Sequence, residues 1–531
     1  MKNILFVFLL LVSCAAVHPS SGVFINVSDF DSVEDALDSL LSSNVNTLYF
    51  PAGNYQINSR ILKQGITKDI NFLGEPGAIL YTDTSINNII RLDSDNWSAQ
   101  LSQNAPRLSD TIYVSSQRPI KKGDLITIKS DQVVESGWGT KEHDTHVIDK
   151  VLNDSTIILR DKLNFEYLTS EVLTIHISTP ASFTFKGIDF VFKDADRAWG
   201  LGNFLTFRFS NVEFYDCNFL NENRDKNMDG AALFGCVDVG FYNCNFDGFR
   251  YASLVNACRD VSLSNSTISH CRHGLAPASW TINVSLTNII GYNNTSTLDA
   301  HPSFNVVVDG IETYGDIEYP VCRSVGVTIK NFHFRQEGNH YHTYAYFGIY
   351  SPQLNQGFKH LAEDQILHFE NGTWIPVQPG SFNGLVASEA KRITYRNVTT
   401  NVVGTWHKGA DLIIADCTIG EIQNRGAKLL LVTNTLFDGS LYDPGDFVIR
   451  AAPLKEYGGL ISNSRFVNYD KSITGLIGQV YNSRFVSFSN CYFGPINSLG
   501  WFHQNAKSDN FKVVGCHFDE VVVPPPFNIV K

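Results

Sequence analysis

Val239-Gly240-Phe241-Tyr242-Asn243-Cys244-Asn245-Phe246 and Val261-Ser262-Leu263-Ser264-Asn265-Ser266-Thr267-Ile268 are two copies of one eight-residue phrase. Each alternates apolar and variable residues, breaks the alternation at Asn, and resumes with a small residue, a variable one and a large apolar one. The alternation gives a strand one apolar face. The Asn marks a sharp bend, often made through the left-handed backbone conformation that Asn, Asp and Gly tolerate best. The phrase first occurs at Ile70–Gly74 and returns at Phe183 (pivot Gly187), Val212 (Asp216), Val284 (Asn288), Val306 (Gly310) and Val327 (Asn331). Later copies centre on Asn397, Asp416, Asn434, Asn463, Asn490 and Gly515.

The pivots at 243, 265, 288, 310 and 331 lie 22, 23, 22 and 21 residues apart. A period in the low twenties built from alternating strands describes a solenoid whose coils bury their apolar faces only by stacking on one another. The reading is all-β, a right-handed parallel β-helix. The Leu-x-x-Leu-x-Leu spacing of a leucine-rich repeat is absent, and a propeller would need a period near forty residues.

Outward from the repeat, Ser32-Val33-Glu34-Asp35 reads as a capping box, followed by the apolar helical face Ala36, Leu37, Leu40 and Leu41. A short N-terminal capping helix is expected, then a strand over Thr47–Phe50 and a sharp reversal at Pro51-Ala52-Gly53-Asn54. The repeat is silent between pivots Gly74 and Gly187. Short strands and Lys-Gly-Asp and Asn-Asp turns fill that gap and predict a small inserted β domain. The resulting division is a signal peptide over 1–20, the cap and first coils over 21–93, the insert over 94–179, and the main helix over 180–531. A loop-rich interruption is expected at about 334–385, and Pro524-Pro525-Pro526 is expected to end strand pairing.

Lys and Arg number 41 against 53 Asp and Glu, a net charge of -12 without a long basic run, which argues against nucleic acid or an anionic membrane as the partner. Met1-Lys2-Asn3 and the apolar run Ile4–Val17 have the form of a secretory signal, too short for a transmembrane segment. Leu11-Val12-Ser13-Cys14 also resembles a bacterial lipoprotein box, which would make Cys14 a lipid anchor. The chain is expected to be secreted or at the cell surface, with association to a virion as an alternative, and to be a monomer or a homotrimer. Nine Asn-x-Ser/Thr sequons do not decide the source, because an Asn-rich chain produces several by chance.

Cys217, Cys244, Cys417, Cys491 and Cys516 share the slot after the pivot and are expected to be buried thiols. Cys236 and Cys258 are one period apart, which in an exported protein would permit a disulfide. No Cys-x-x-Cys pair suggests zinc, and no cofactor is assigned. Asp225 and Asp229 are weighed as a Ca2+ site, with solvated turn residues preferred.

On stacked coils, equal offsets from successive pivots are neighbours about 4.8 Å apart. His301 follows Asn288 by the same offset as Arg323 follows Gly310, so the two are expected side by side. Asp229 has that offset from Asp216 and is expected in the same column three coils earlier. Asp299 shares a face with His301. A second column holds Arg250-Tyr251 and, one period on, Arg272-His273. Solvated polar ladders are the commoner meaning of such side chains. Their clustering points instead to a groove with candidate catalytic residues Asp299, His301, His273 and Arg323 and substrate-binding residues Arg272, Arg250, Tyr251 and Asp229. His340 and His342 in the interruption are weaker candidates for substrate contact.

Ser32–Ile57, with Tyr49-Phe50-Pro51-Ala52-Gly53-Asn54-Tyr55, is similar to the start of many pectin-lyase-like β-helix proteins, among them polysaccharide lyases and epimerases, glycosidases and phage tailspike depolymerases. Lys122-Gly123-Asp124 to Val172 looks like the inserted β domain of some of them. Leu298-Asp299-Ala300-His301-Pro302 resembles the Asp-Pro-His signature of mannuronan epimerases, with Ala300 in place of Pro and no Tyr-Gly-Phe before it. The resemblance implies a polysaccharide substrate, with Asp299 and His301 catalytic and Arg323 or Arg272 assisting. The polygalacturonase pattern of Asn-Thr-Asp followed by paired aspartates is absent.

Acting on a uronate requires a cation for the carboxylate, a base for the C5 proton and a group that protonates or reprotonates. Arg272 or Arg323, His301 or His273, and Tyr251 fit those roles in turn. Hydrolysis requires two carboxylates, and Asp299 would need Asp229 or Glu312 as its partner. The expected function is a lyase or epimerase acting on an acidic, uronate-containing glycan. A glycoside hydrolase of tailspike depolymerase type is the alternative, and a non-catalytic glycan-binding adhesin is a third reading.

Overall fold

The structure, a computed structural model, describes residues 23–83, 88–137, 139–193, 202–224, 228–315, 320–336, 346–349, 353–375, 385–387, 390–405, 410–424, 428–441, 447–451, 459–469, 475–478, 486–494, 511–519 and 529–530. The signal-like N-terminus with Cys14, Asp225, His340, His342 and the Pro524–Pro526 run lie outside them. A 10-residue helix, Val33–Ser42, opens the fold. The Ser32 hydroxyl accepts from the Asp35 N–H at 3.1 Å, as a cap should, and Val33, Ala36, Leu37 and Leu40 are buried over the first coil.

Parallel strands then stack coil on coil into a right-handed β-helix. Strands 211–215, 237–242, 259–269, 281–292, 303–315 and 325–336 pair in sequence, each matching the same phrase position of the next. The pivots carry the predicted left-handed backbone, with φ between 49° and 55° at Asp216, Asn243, Asn265, Asn288 and Asn331. Their side chains bond from coil to coil: the Asn243 amide donates to Asp216 at 3.2 Å, and Asn288 to Asn265 at 3.0 Å. Inside, Phe72, Phe185, Phe214 and Phe241 form a column of stacked rings with centroids 4.3, 4.9 and 4.9 Å apart. Each such buried ring contributes roughly 1.5–3 kcal/mol. The slot after the pivot holds Cys217, Cys244, Cys417 and Cys491 as buried free thiols, and Cys516 half-buried. Cys236 and Cys258 are free as well, with the Cys236 N–H 3.3 Å from the Cys258 sulfur.

Phe72 and Phe185 are neighbours although far apart in sequence, because the intervening chain leaves the solenoid and returns one coil on. The strand Ile90–Leu101 makes the exit. Its start pairs in parallel with Ile61–Ile66, and its end pairs antiparallel with Leu173–Thr179. The insert is antiparallel, and its buried Ile112, Val114, Ile126, Ile128, Ile148, Phe165 and Tyr167 share one apolar cluster with Trp280, Ile282 and Phe304 of the later coils, along whose flank it lies. Phe165 packs on Trp280 and Phe304 at 5.2 and 5.8 Å, and the Thr145 hydroxyl donates to the Ala257 carbonyl at 2.6 Å.

Two expectations fail here. Pro51–Asn54 is a corner of the coil, not a reversal between paired strands, because Gly53–Gln56 pairs with Ala78–Thr82 of the next coil. Within the expected interruption at 334–385, Ile366–Ile375 is a further coil, paired with Val325–Gln336 and Arg392–Thr405. Its pivot is Asn371, at φ 52°, within the phrase Leu367-His368-Phe369-Glu370-Asn371. The separation of Asn331 from Asn371 is nearly twice the usual period, which hides this coil from a search tuned to the low twenties.

Candidate functional site

Four successive coils build one patch from the strands Met228–Phe234, Tyr251–Asn256, His273–Ala278 and Ser296–Ala300. Their register is Asp229, Tyr251, His273, Ser296. Asp229 therefore belongs to the column of Tyr251 and His273, not to that of His301. The coil between pivots Asp216 and Asn243 is longer than those that follow, and its surplus precedes Asp229. The other column holds as expected: Asp299 pairs with Val321 and Ala300 with Cys322, which puts His301 beside Arg323.

Asp299 is the hub. It is 1% exposed, and its Oδ2 lies 3.1 Å from His273 Nδ1 and 3.2 Å from His301 Nε2. The His273 approach is in ion-pair range without the alignment of a hydrogen bond. The histidines respond in opposite ways. Burial pushes His273 down to about 4, outweighing the pull of Asp299, with Arg272 and His301 adding to the depression. Partial burial works against His301 as well, but Asp299 overrides that and raises it. Burial works to raise Asp299, but His301 and His273 hold it below the usual carboxylate range. The trio thus sets a carboxylate between a ring biased towards its charged form, His301, and a ring kept neutral, His273. Tyr251 stacks on His273 with centroids 4.8 Å apart and 19° between planes, and burial with the Asp299 charge raises its pKa. Arg272 acts electrostatically on His273, Asp299 and Tyr251.

The remaining predicted residues are committed to partners. Arg250 grips Asp229 with two bonds, Nε to Oδ1 at 2.8 Å and Nη2 to Oδ2 at 2.6 Å, while leaning over the Tyr251 ring. Asp229 is fully buried, so this pair anchors the wall of the patch. Arg323, beside His301, bonds Glu135 and, at 2.6 Å, the side-chain oxygen of Gln353. Glu135 carries no signal in the sequence. It comes from the insert, and nothing in Val133-Val134-Glu135 tells where that domain docks. Glu312, weighed as a second carboxylate, lies two residues past pivot Gly310 on another strand run, where it accepts from the Tyr314 hydroxyl at 2.9 Å.

Among the described residues, no group of three or more His, Cys, Asp or Glu side chains is arranged to hold a metal. A separate trough of about 480 Å³ lies outside this patch, lined by Glu213, Asp238, Tyr242, Asp260, Ser262 and Asn283 among others. It has volume but no histidine, whereas the Asp299 cluster joins a buried carboxylate to two histidines with displaced pKa values. The second property is the one chemistry needs.

No known protein family and no curated protein matches the sequence. Among solved structures, the chain is similar to the tailspike gp49 of Pseudomonas phage LKA1, at 13% identity and TM-score 0.48, over 91% of this chain and 76% of that one. The tailspike Gp54 of Acinetobacter baumannii phage AP22, solved with a capsular saccharide, is similar at 15% identity and TM-score 0.42, again over 91% and 76%. A catalytic domain of GH87 α-1,3-glucanase in complex with nigerose is similar at 13% identity and TM-score 0.28, over 94% and 69%.

Proposed function

We propose that this protein is a secreted or surface carbohydrate-active enzyme acting on an acidic, uronate-containing polysaccharide by abstraction of the C5 proton, as a lyase or an epimerase. One observation carries the reading: a buried carboxylate lies within 3.2 Å of two histidines whose pKa values are displaced in opposite directions, within a patch that also holds Tyr251 and Arg272. Asp299 favours the charged form of His301, and Arg272 adds a positive potential that suits one uronate carboxylate. His273 is the ring able to accept the C5 proton. Asp299 beside it stabilises the imidazolium that forms, and His301 with Arg272 holds the carboxylate as charge builds on it. Tyr251 keeps its proton at neutral pH and is available to return one to C5 in epimerisation.

Hydrolysis is less well supported by the same residues. Asp229 is locked to Arg250 and Glu312 lies on another strand run, so a hydrolase would have to pair Asp299 with Glu135 of the insert. Purified protein incubated with polygalacturonate, alginate and neutral glycans separates the readings. Absorbance of a 4,5-unsaturated uronate, or inverted C5 configuration, supports the proposal, and Asp299→Asn should abolish either signal. New reducing ends without unsaturation support a hydrolase. Binding with no product supports an adhesin.

A further inference from the structure

The insert contributes one acid to the Asp299 patch. Glu135 ends the strand Leu125–Glu135 and is 1% exposed. Its two oxygens are treated unequally: Oε1 bonds Arg323 Nη2, whereas Oε2 makes no aligned hydrogen bond. The segment around it is fastened to the chain after residue 352. The Ser136 N–H donates to the Gln353 carbonyl at 2.8 Å, the Asn355 N–H donates to the Val134 carbonyl at 3.0 Å, and the Gln353 side chain shares Arg323. Arg323 in turn sits on the coil next to His301, its N–H donating to the Ala300 carbonyl at 2.8 Å. An ion pair serving only to dock the insert would satisfy both oxygens, because an unpartnered buried oxygen is costly.

Resting on the uronate reading above, the geometry points to Glu135 as the group that protonates the departing glycosidic oxygen. Burial favours its protonated form and outweighs the opposing pull of Arg323, His301 and the Thr140 hydroxyl. With Oε1 accepting from Arg323, the proton belongs on Oε2. In β-elimination His273 removes the C5 proton, the C4–C5 double bond forms, and the C4–O4 electron pair leaves with oxygen. The Oε2 proton completes the new hydroxyl. The resulting carboxylate is stabilised by Arg323, and as the product departs His273 releases the C5 proton to solvent while Glu135 takes one up, which restores both groups with no net proton consumed. Epimerisation breaks no bond to O4 and would leave this proton unused, so the assignment selects cleavage.

The test compares wild type, Glu135→Gln and Glu135→Asp on polygalacturonate and alginate, and on a uronide carrying 4-nitrophenolate at O4, whose departure needs no proton. Glu135→Gln should lower polymer kcat by about 10²–10⁴-fold and remove the alkaline limb of its pH profile, yet stay within about tenfold of wild type on the activated uronide. Glu135→Asp, which keeps an acid opposite Arg323 at shorter reach, should fall between the two and serves where Gln unfolds the chain. Equal losses on both substrates, or full polymer turnover with the alkaline limb intact, would overturn the assignment. Inverted C5 without scission overturns it and leaves the uronate reading standing. A wild type inert on every glycan removes both.

Discussion

Two sets of polar side chains climb this solenoid, and they behave oppositely. The pivot ladder of Asp216, Asn243, Asn265 and Asn288 repeats one residue class at one slot, mostly in contact with water, with bonds running from coil to coil. The patch of Asp229, Tyr251, His273, Asp299 and His301 also stacks coil on coil, but no two neighbouring coils put the same residue in register, and Asp229 and Asp299 are buried. In the ladder a residue is interchangeable with its neighbours, because each does the same job of turning the chain. In the patch each residue has a different partner, so the repeat serves only as a scaffold that fixes spacing.

That contrast breaks most visibly at Asp299. Asp299→Asn keeps the shape and removes the charge shared by the histidines, so turnover of the uronate polymer should fall about 10²–10⁴-fold with the fold retained, read by kcat and by circular dichroism. Next is Arg250→Ala, which strands the fully buried Asp229 carboxylate. A loss of about 3–5 kcal/mol in denaturant melts is expected, and a much smaller one would mean that Asp229 takes up a proton instead.

The pH dependence of stability is a third contrast. Between about pH 6.5 and about 4 the unfolded chain binds a proton at His273 that the folded chain refuses, so this group makes stability fall as pH falls, by on the order of 3 kcal/mol. His301 works the other way: its stabilisation is complete below about pH 6.5 and is lost as pH rises through its raised value. The contribution of Asp299 is present above about pH 3.9 and disappears as pH falls through its depressed value. Denaturant midpoints for His273→Gln should lose the part of the acid-side decline between about pH 6.5 and 4 that is expected of wild type. The smallest effect belongs to the ladder. Asn288→Ala should cost about 1–2 kcal/mol for its left-handed backbone, and Asn288→Gly only a few tenths, with turnover untouched in both.

The fold was legible because a coil must repeat its turn chemistry, and Asn243, Asn265 and Asn288 announce the period directly. The pairing of His301 with Arg323 followed from the same arithmetic. It failed for Asp229, where a longer coil shifted the count, and for Asn371, where a long excursion separated two coils that touch. The commitment of Arg323 to Glu135 was illegible in principle. It depends on how a separate domain docks, and that is decided by side chains such as Phe165 and Trp280, which are distant from each other in sequence and belong to no local pattern.

The Phe72–Phe185 stack has a kinetic meaning. A solenoid grows by templating each coil on the last, yet the strand that follows Gly74 in the stack begins only at Ser182. Closing a floppy segment of that length costs about 1.5 kcal/mol more than closing an ordinary coil. An insert that has already folded removes the difference, since it holds its two ends together: the Ala181 N–H donates to the Ser94 hydroxyl at 2.9 Å. Early folding of the antiparallel unit would therefore favour assembly of the later coils. A lesion in the core of that unit would be felt first as a refolding delay, before any coil lost a contact of its own.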